Sequence, residues 1–198
     1  MKSEAETRGD TRPEPQDDTG AGTGAEARTE SQTVRMTGRL DPRGSWSADA
    51  CSIGRALDVV GTRSALLLLR EAFYGTTRFD DFAERGGISE PSAAARLRQL
   101  VAEGLLEREP YQEAGQRTRL QYRLTEKGSE LFPALVALMQ WGDRWLAPAG
   151  SPVTLAHQGC GQSVHVELRC AAGHQPPVGE LELLVGPGAR PKGRGAVS

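Results

Sequence analysis

The chain has 198 residues, a net charge of −2, 37% apolar residues and three cysteines. All ten aromatics fall between Trp46 and Trp145, so the expectation is one core of about 100 residues, which excludes two large domains. The longest apolar run is 134–139, far short of the roughly 20 residues that cross a bilayer.

Lys2 is not followed by an apolar stretch of the kind that forms a secretory signal, so a cytoplasmic protein is expected. An odd number of cysteines, at 51, 160 and 170, does not make the disulfide framework of a small secreted domain, and the thiols are expected to be reduced. The charge balance offers no global attraction to nucleic acid, so any such binding must come from local charge.

Residues 1–45 are rich in Glu, Thr, Gly, Asp and Arg, with nine acids against seven bases and little to bury, which predicts a disordered tail. Gly20, Gly22 and Gly24 lack the preceding strand and following helix of a dinucleotide loop, and Met36 is a candidate start. From Asp49 the pattern turns helical, with Ile53, Ala56, Leu57 and Val60 on one stripe and Gly61 as its end. A second helix is read over 64–73, where 65–69 is apolar all round and therefore central to the domain.

Phe79, Phe82 and Ala83 mark a short helix broken by Gly86-Gly87. Ser89 can cap the next helix, with Glu90 and Pro91 in its first turn and Leu97, Leu100 and Val101 on its buried face. Short helix, glycine turn and longer helix make a helix-turn-helix spacing. Two strand-like runs, 105–109 and 119–124, pair across a loop with Gly115 at its tip, so the hairpin projects as a wing. Thr125 then caps a helix read over 126–146 with Pro133 as a kink, carrying two apolar stripes for two partners.

This order is that of a winged helix-turn-helix domain, mostly α (α+β), over 46–147, with a small β-rich extension at 148–198. The motifs Cys51-Ser52-Ile53, 56–61, 66–71, Arg78-Phe79, Gly87-Ile88-Ser89, Arg96-Leu97-Arg98, 124–128 and 141–145 resemble the HxlR-type transcriptional regulators. The resemblance covers roughly 48–147 and implies a homodimeric, winged-helix regulator of double-stranded DNA, often a repressor, responsive in some members to a small-molecule or redox signal. Arg63-Ser64 and the alanines 93–95 depart from the family pattern.

A helix of this length fits the major groove, where base edges carry distinguishable donors and acceptors. Ser89, Ser92, Arg96, Arg98 and Gln99 are the candidate contacts on it. Arg117, Arg119 and Arg123 in the wing and return strand, without an acid between 114 and 125, give a local charge of +3 for phosphates. For Arg96 and Arg98 the competing reading is a solvated face or an ion pair. Dimerisation is expected through the first and last helices, since a dimer doubles the groove contacts.

All three histidines lie with Cys160 and Cys170 inside 157–174. His157-x2-Cys160 and Cys170-x3-His174 are ligand-like pairs that could close a structural zinc site across a hairpin through 164–168, with His165 on the other face. The competing reading is a β hairpin, 163–170 with 180–185, whose cysteines are buried and whose histidines are solvated. Cys51 opens the first helix with Arg55 one turn on, a setting that favours thiolate and hence redox sensing; its alternative is an inert residue starting the helix.

No enzyme signature is present: there is no P-loop and no GxSxG elbow, and no His lies within the folded core. No cofactor is required. The rival to a DNA-binding regulator is a thiol- or metal-sensing interaction protein that has lost specific DNA binding.

Overall fold

The computed structural model of the chain describes residues 33–37, 44, 47–112, 115 and 117–191. Most of the segment read as a disordered tail lies outside them. Part of it does not follow that reading: Arg35–Met36 form a short strand, β1.

Helix α1 spans Ser52–Val60. It stops at Gly61, whose N–H bonds the Leu57 carbonyl at 2.7 Å and where a Cβ would stand 2.4 Å from that same oxygen. Its stripe does not bury as the periodicity suggests. Ile53 and Leu57 remain 72% and 56% exposed.

Helix α2, Arg63–Phe73, starts at Thr62, whose hydroxyl accepts the Ala65 N–H at 3.2 Å and so satisfies one orphan donor of the first turn. Ala65, Leu68 and Leu69 are completely buried, whereas Leu66 and Leu67 are only half covered. The central position read from the apolar run therefore holds for one side of this helix.

Helix α3, Phe79–Gly86, and helix α4, Glu90–Ala102, pack on α2. Phe82, Leu68, Leu69, Leu97, Leu100 and Leu106 are the largest fully buried side chains, each contributing about 1.5–3 kcal/mol by its removal from water. Phe82 meets Tyr122 edge to face at 5.8 Å between centroids.

A buried acid holds the far end of α2 to α3. The Glu71 carboxylate receives the Arg70 guanidinium at 2.6 Å and the Thr76 hydroxyl at 3.3 Å, while Arg85 donates to that hydroxyl and Arg70 to the Arg85 carbonyl. The polar groups that burial would otherwise orphan are thus paired.

Strands β2, Leu106–Tyr111, and β3, Arg119–Leu124, pair antiparallel with Leu106 opposite Leu124 and Tyr111 opposite Arg119. The Tyr122 N–H also bonds the Thr77 carbonyl at 2.8 Å, which fastens the hairpin to the segment between α2 and α3.

The helix expected over 126–146 is two helices: α5, Glu126–Ser129, and α6, Phe132–Leu146. Pro133 sits in the first turn of α6, where its missing N–H costs nothing, and so begins a helix rather than kinking one. Thr125 links this region to the end of α4: its hydroxyl donates to the Gly104 carbonyl at 2.7 Å and accepts the Gly128 N–H at 3.0 Å.

The extension carries less β structure than its alternating sequence suggests. It holds an isolated bridge between Ala156 and Ser163 and the two-residue strand β4, Glu182–Leu183, which pairs parallel with β1. Neither a 164–168 strand nor a hairpin of 163–170 with 180–185 forms. The reason is competition for backbone groups: the Gln140 side chain donates to the Val164 carbonyl at 2.7 Å and accepts the Val166 N–H at 3.1 Å, and β1 takes the partner edge of β4.

Candidate nucleic-acid interface

The turn between α3 and α4 is built on Gly87, whose φ of +58° is the left-handed region that glycine adopts without penalty. Its N–H and that of Ile88 close the end of α3 on the carbonyls of Glu84 and Ala83. Ser89 then takes extended backbone before Glu90, as an N-cap should. Its side chain makes no cap bond and instead meets the Ser92 hydroxyl at 3.0 Å.

Ser92, Ala95 and Arg98 are exposed on the side of α4 away from Leu97 and Leu100, while Arg96 and Gln99 lie half-buried along its flank. Arg96 donates to the Gln99 side-chain carbonyl on the same helix. Both polar tips are therefore held along this flank, and a base edge would compete with that internal bond for the guanidinium.

In the wing, Gly115 has a φ of +78°, and Arg117 and Arg119 are exposed. Arg123 differs from the sequence reading: its Nε lies 2.6 Å from Glu109 Oε2 on the facing strand. Half of both side chains is solvent-exposed, so this pair is weak in stability terms, but it offsets one of the three wing charges. The register pairs Arg123 with Glu107 and Glu109 with Gln121, so Arg123 reaches Glu109 on the diagonal, an acid outside the acid-free stretch 114–125.

Two further cations at this end were not singled out from the sequence. Arg78 and Arg108 lie over the rings of Tyr111 and Tyr122, at 5.3 and 5.6 Å from their centroids. The interleaved order Arg108, Tyr111 and Tyr122 is the only trace of this in the sequence.

Cys51 occupies the N-cap position of α1 and is exposed, as are Cys160 and Cys170. Arg55 follows one turn on, its N–H bonded to the Cys51 carbonyl at 3.0 Å.

The Cys/His cluster folds as two separate turns. In the first, His157 Nδ1 lies 3.2 Å from Cys160 Sγ, and the N–H groups of Cys160 and Gly161 reach the His157 carbonyl. In the second, the Cys170 N–H meets the His174 carbonyl at 3.0 Å, with Gly173 in the left-handed region. Among the described residues no three His, Cys, Asp or Glu side chains gather to hold a metal, so the four expected ligands do not converge. All three cysteines are exposed rather than buried. Nearby, the Arg169 side chain and then Gln175 bond the exposed Glu167 carboxylate and hold its pKa below the ordinary range.

An apolar surface remains open on α1 and α6. Ile53, Leu57, Leu138, Trp141, Trp145 and Leu146 are each more than half exposed. Among the described residues no helix is long and apolar enough to cross a membrane.

A family model described as HxlR-like helix-turn-helix matches residues 59–149. The chain is 45% identical over 143 residues to an uncharacterized HTH-type transcriptional regulator of Mycobacterium tuberculosis, Rv3095, covering 71% of this chain and 89% of that one. An HTH-type regulator of Bacillus subtilis, YvaP, is 29% identical over 96 residues, which is 48% of this chain and 87% of that one. Among solved structures, PA1607, described as a candidate transcription factor, aligns with a TM-score of 0.59 at 38% identity and covers 65% of this chain and 89% of its own. A second candidate transcription factor, from Pseudomonas aeruginosa, aligns with a TM-score of 0.50 at 35% identity, over 69% of this chain and 93% of its own. The helix-turn-helix, the wing and these likenesses agree: the chain belongs to the HxlR-like helix-turn-helix family and is a transcriptional regulator of the helix-turn-helix type, not an enzyme.

Proposed function

We propose that the protein is a homodimeric, sequence-specific DNA-binding repressor acting in the cytoplasm. The observation that carries this reading is the pairing of α4, which exposes Ser92 and holds Arg96 and Gln99 half-buried beside it, with a wing that exposes Arg117 and Arg119. Ser89 and Arg98 are exposed at the start and along the outer side of α4, and Arg123 is held in its pair with Glu109. The apolar residues left open on α1 and α6 are the natural dimer surface, because aromatic side chains of this size are rarely left in water without a partner.

A mobility shift on the DNA upstream of the protein's own coding region tests the reading. Wild type shifts that fragment in the presence of excess competitor DNA, and the Arg117→Ala/Arg119→Ala variant does so only at higher concentration. Absence of any specific shift by the wild type favours the rival reading, an interaction protein that has lost DNA binding.

The signal is proposed to enter at Cys51. This thiol opens the helix whose Ile53 and Leu57 belong to the dimer surface, so alkylation or oxidation there alters how protomers pack and thereby how two α4 helices are presented. Diamide or a quinone lowers operator binding by wild type and spares Cys51→Ser; equal loss in both returns Cys51 to a packing role.

The reading requires no cofactor. A structural zinc at His157, Cys160, Cys170 and His174 needs the second turn to close on the first. Near-stoichiometric zinc in protein purified without a His tag supports that closure. Metal-free protein whose melting temperature ignores a chelator removes it.

A further inference from the structure

Where the extension meets the winged domain there is a cavity of about 590 Å³. One wall is α2, through Leu66, Leu67 and Phe73; a second is α6, through Phe132, Leu135 and Met139; the third is Val153, Thr154 and Leu155, beyond the family-matched span 59–149. These walls explain why Leu66 and Leu67 stay half covered although they lie in the apolar run at the centre of the fold.

We infer that this cavity is a binding site for a small, uncharged, apolar molecule with an aromatic or alicyclic body. Its size lies within the roughly 300–1,000 Å³ of small-molecule sites, which are mostly apolar with few polar groups. Arg70 is the single ionisable cation of the lining, and its guanidinium is already engaged by Glu71 at 2.6 Å and the Arg85 carbonyl at 3.3 Å. An anionic ligand therefore meets a guanidinium whose charge Glu71 already balances. Phe73 and Phe132, with centroids 4.8 Å apart, and Tyr74 give flat faces for a ring.

A second copy of the chain is the competing occupant, and α6 separates the two uses. Phe132, Leu135, Val136 and Met139 line the cavity, whereas Trp141 and Trp145 fall on another stripe and do not line it; Leu138 is shared between them. The cavity also has its own wall from the extension, which is pinned to α6 by the Gln140 bonds to Val164 and Val166. The inference rests on the regulator reading for its consequence: a ligand here bridges α2, on which α4 packs, and α6, so its occupancy acts on the presentation of α4.

The probe is Nile red, an uncharged apolar dye, titrated into full-length protein at concentrations where light scattering defines the oligomer, with operator binding measured in parallel. The account expects saturable binding at one dye per protomer, in dimer as well as in monomer. Thr154→Trp, which fills the cavity from an exposed position of the extension, weakens the dye at least tenfold, and Thr154→Ser binds as wild type. Leu67→Asn, which places an amide in the α2 wall, also weakens it. Dye excluded from the dimer, or Thr154→Trp dissociating the dimer, assigns the cavity to the protomer interface and overturns the inference. Dye binding unaffected by Thr154→Trp overturns it as well. Loss of operator binding with dye binding intact strikes the DNA reading alone.

Discussion

Arg123 lies 2.6 Å from Glu109 across the wing hairpin, and this places it apart from Arg117 and Arg119. A guanidinium already facing a carboxylate releases fewer counterions from DNA than one that faces only water. Arg117→Ala/Arg119→Ala is expected to weaken binding to all sequences and lower the slope of log affinity against log salt by about two, roughly 0.9 per lost phosphate contact. Arg123→Ala is expected to lower it by well under one. A salt series read by fluorescence anisotropy makes the comparison, and equal slopes for the three proteins would refute it.

Arg96, half-buried on the flank of α4, is bonded to Gln99. Its replacement by Ala is expected to cost about 1–3 kcal/mol on the preferred site and little on unrelated DNA, so that discrimination falls at one base position. Competition with single-base variants of the site reads this. A uniform loss across all variants would instead make Arg96 a phosphate contact.

Gly128 has no room for a side chain, since a Cβ would stand 2.1 Å from the Leu105 carbonyl. Gly128→Ala must push apart the junction that Thr125 ties to Gly104, at a cost of about 1–3 kcal/mol. Urea unfolding followed by circular dichroism measures it. A midpoint unchanged from wild type would contradict the packing described at this junction.

Gln140 holds the extension through both of its side-chain groups. Gln140→Leu keeps the volume and removes the two bonds. It should speed protease cleavage after 147 severalfold while changing the unfolding free energy of the winged domain by less than about 1 kcal/mol, as expected for a bond at an exposed site. Unchanged cleavage would show that the extension is held by other contacts.

The winged domain was legible because its signals are local and agree with one another. Gly61, Gly87, Thr125 and the apolar spacings of α2 to α4 each fix an end or a face by short-range chemistry. Two features of its helices were not. Pro133 can break or begin a helix, and the two-residue gap at 130–131 decided for the latter. The α1 stripe reads as core but stays open, because periodicity shows that a face is apolar without showing what covers it.

The extension was the least legible part. Its valines alternate like a strand, yet a glutamine from α6 and a strand from the N-terminal region take its backbone bonds, and such long-range partners leave no spacing to read. The Cys/His pairs folded as local turns, as their spacing suggests, and the distance between the turns was beyond what spacing encodes. In the wing, the register sets Glu107 opposite Arg123, and Arg123 instead reaches diagonally to Glu109, a choice that no spacing in the sequence shows.

The most direct test moves one half-site. After footprinting locates the protected site, affinity is measured for that duplex and for one with five base pairs inserted between the halves, which turns the second half-site to the opposite side of the helix. Two α4 helices held in one dimer must enter successive major grooves about one helical turn apart. The account predicts two protomers bound per native site and a drop on the altered duplex to near the level of unrelated DNA, on the order of 10³-fold. Equal affinity for the two duplexes, or one protomer bound per site, would contradict it.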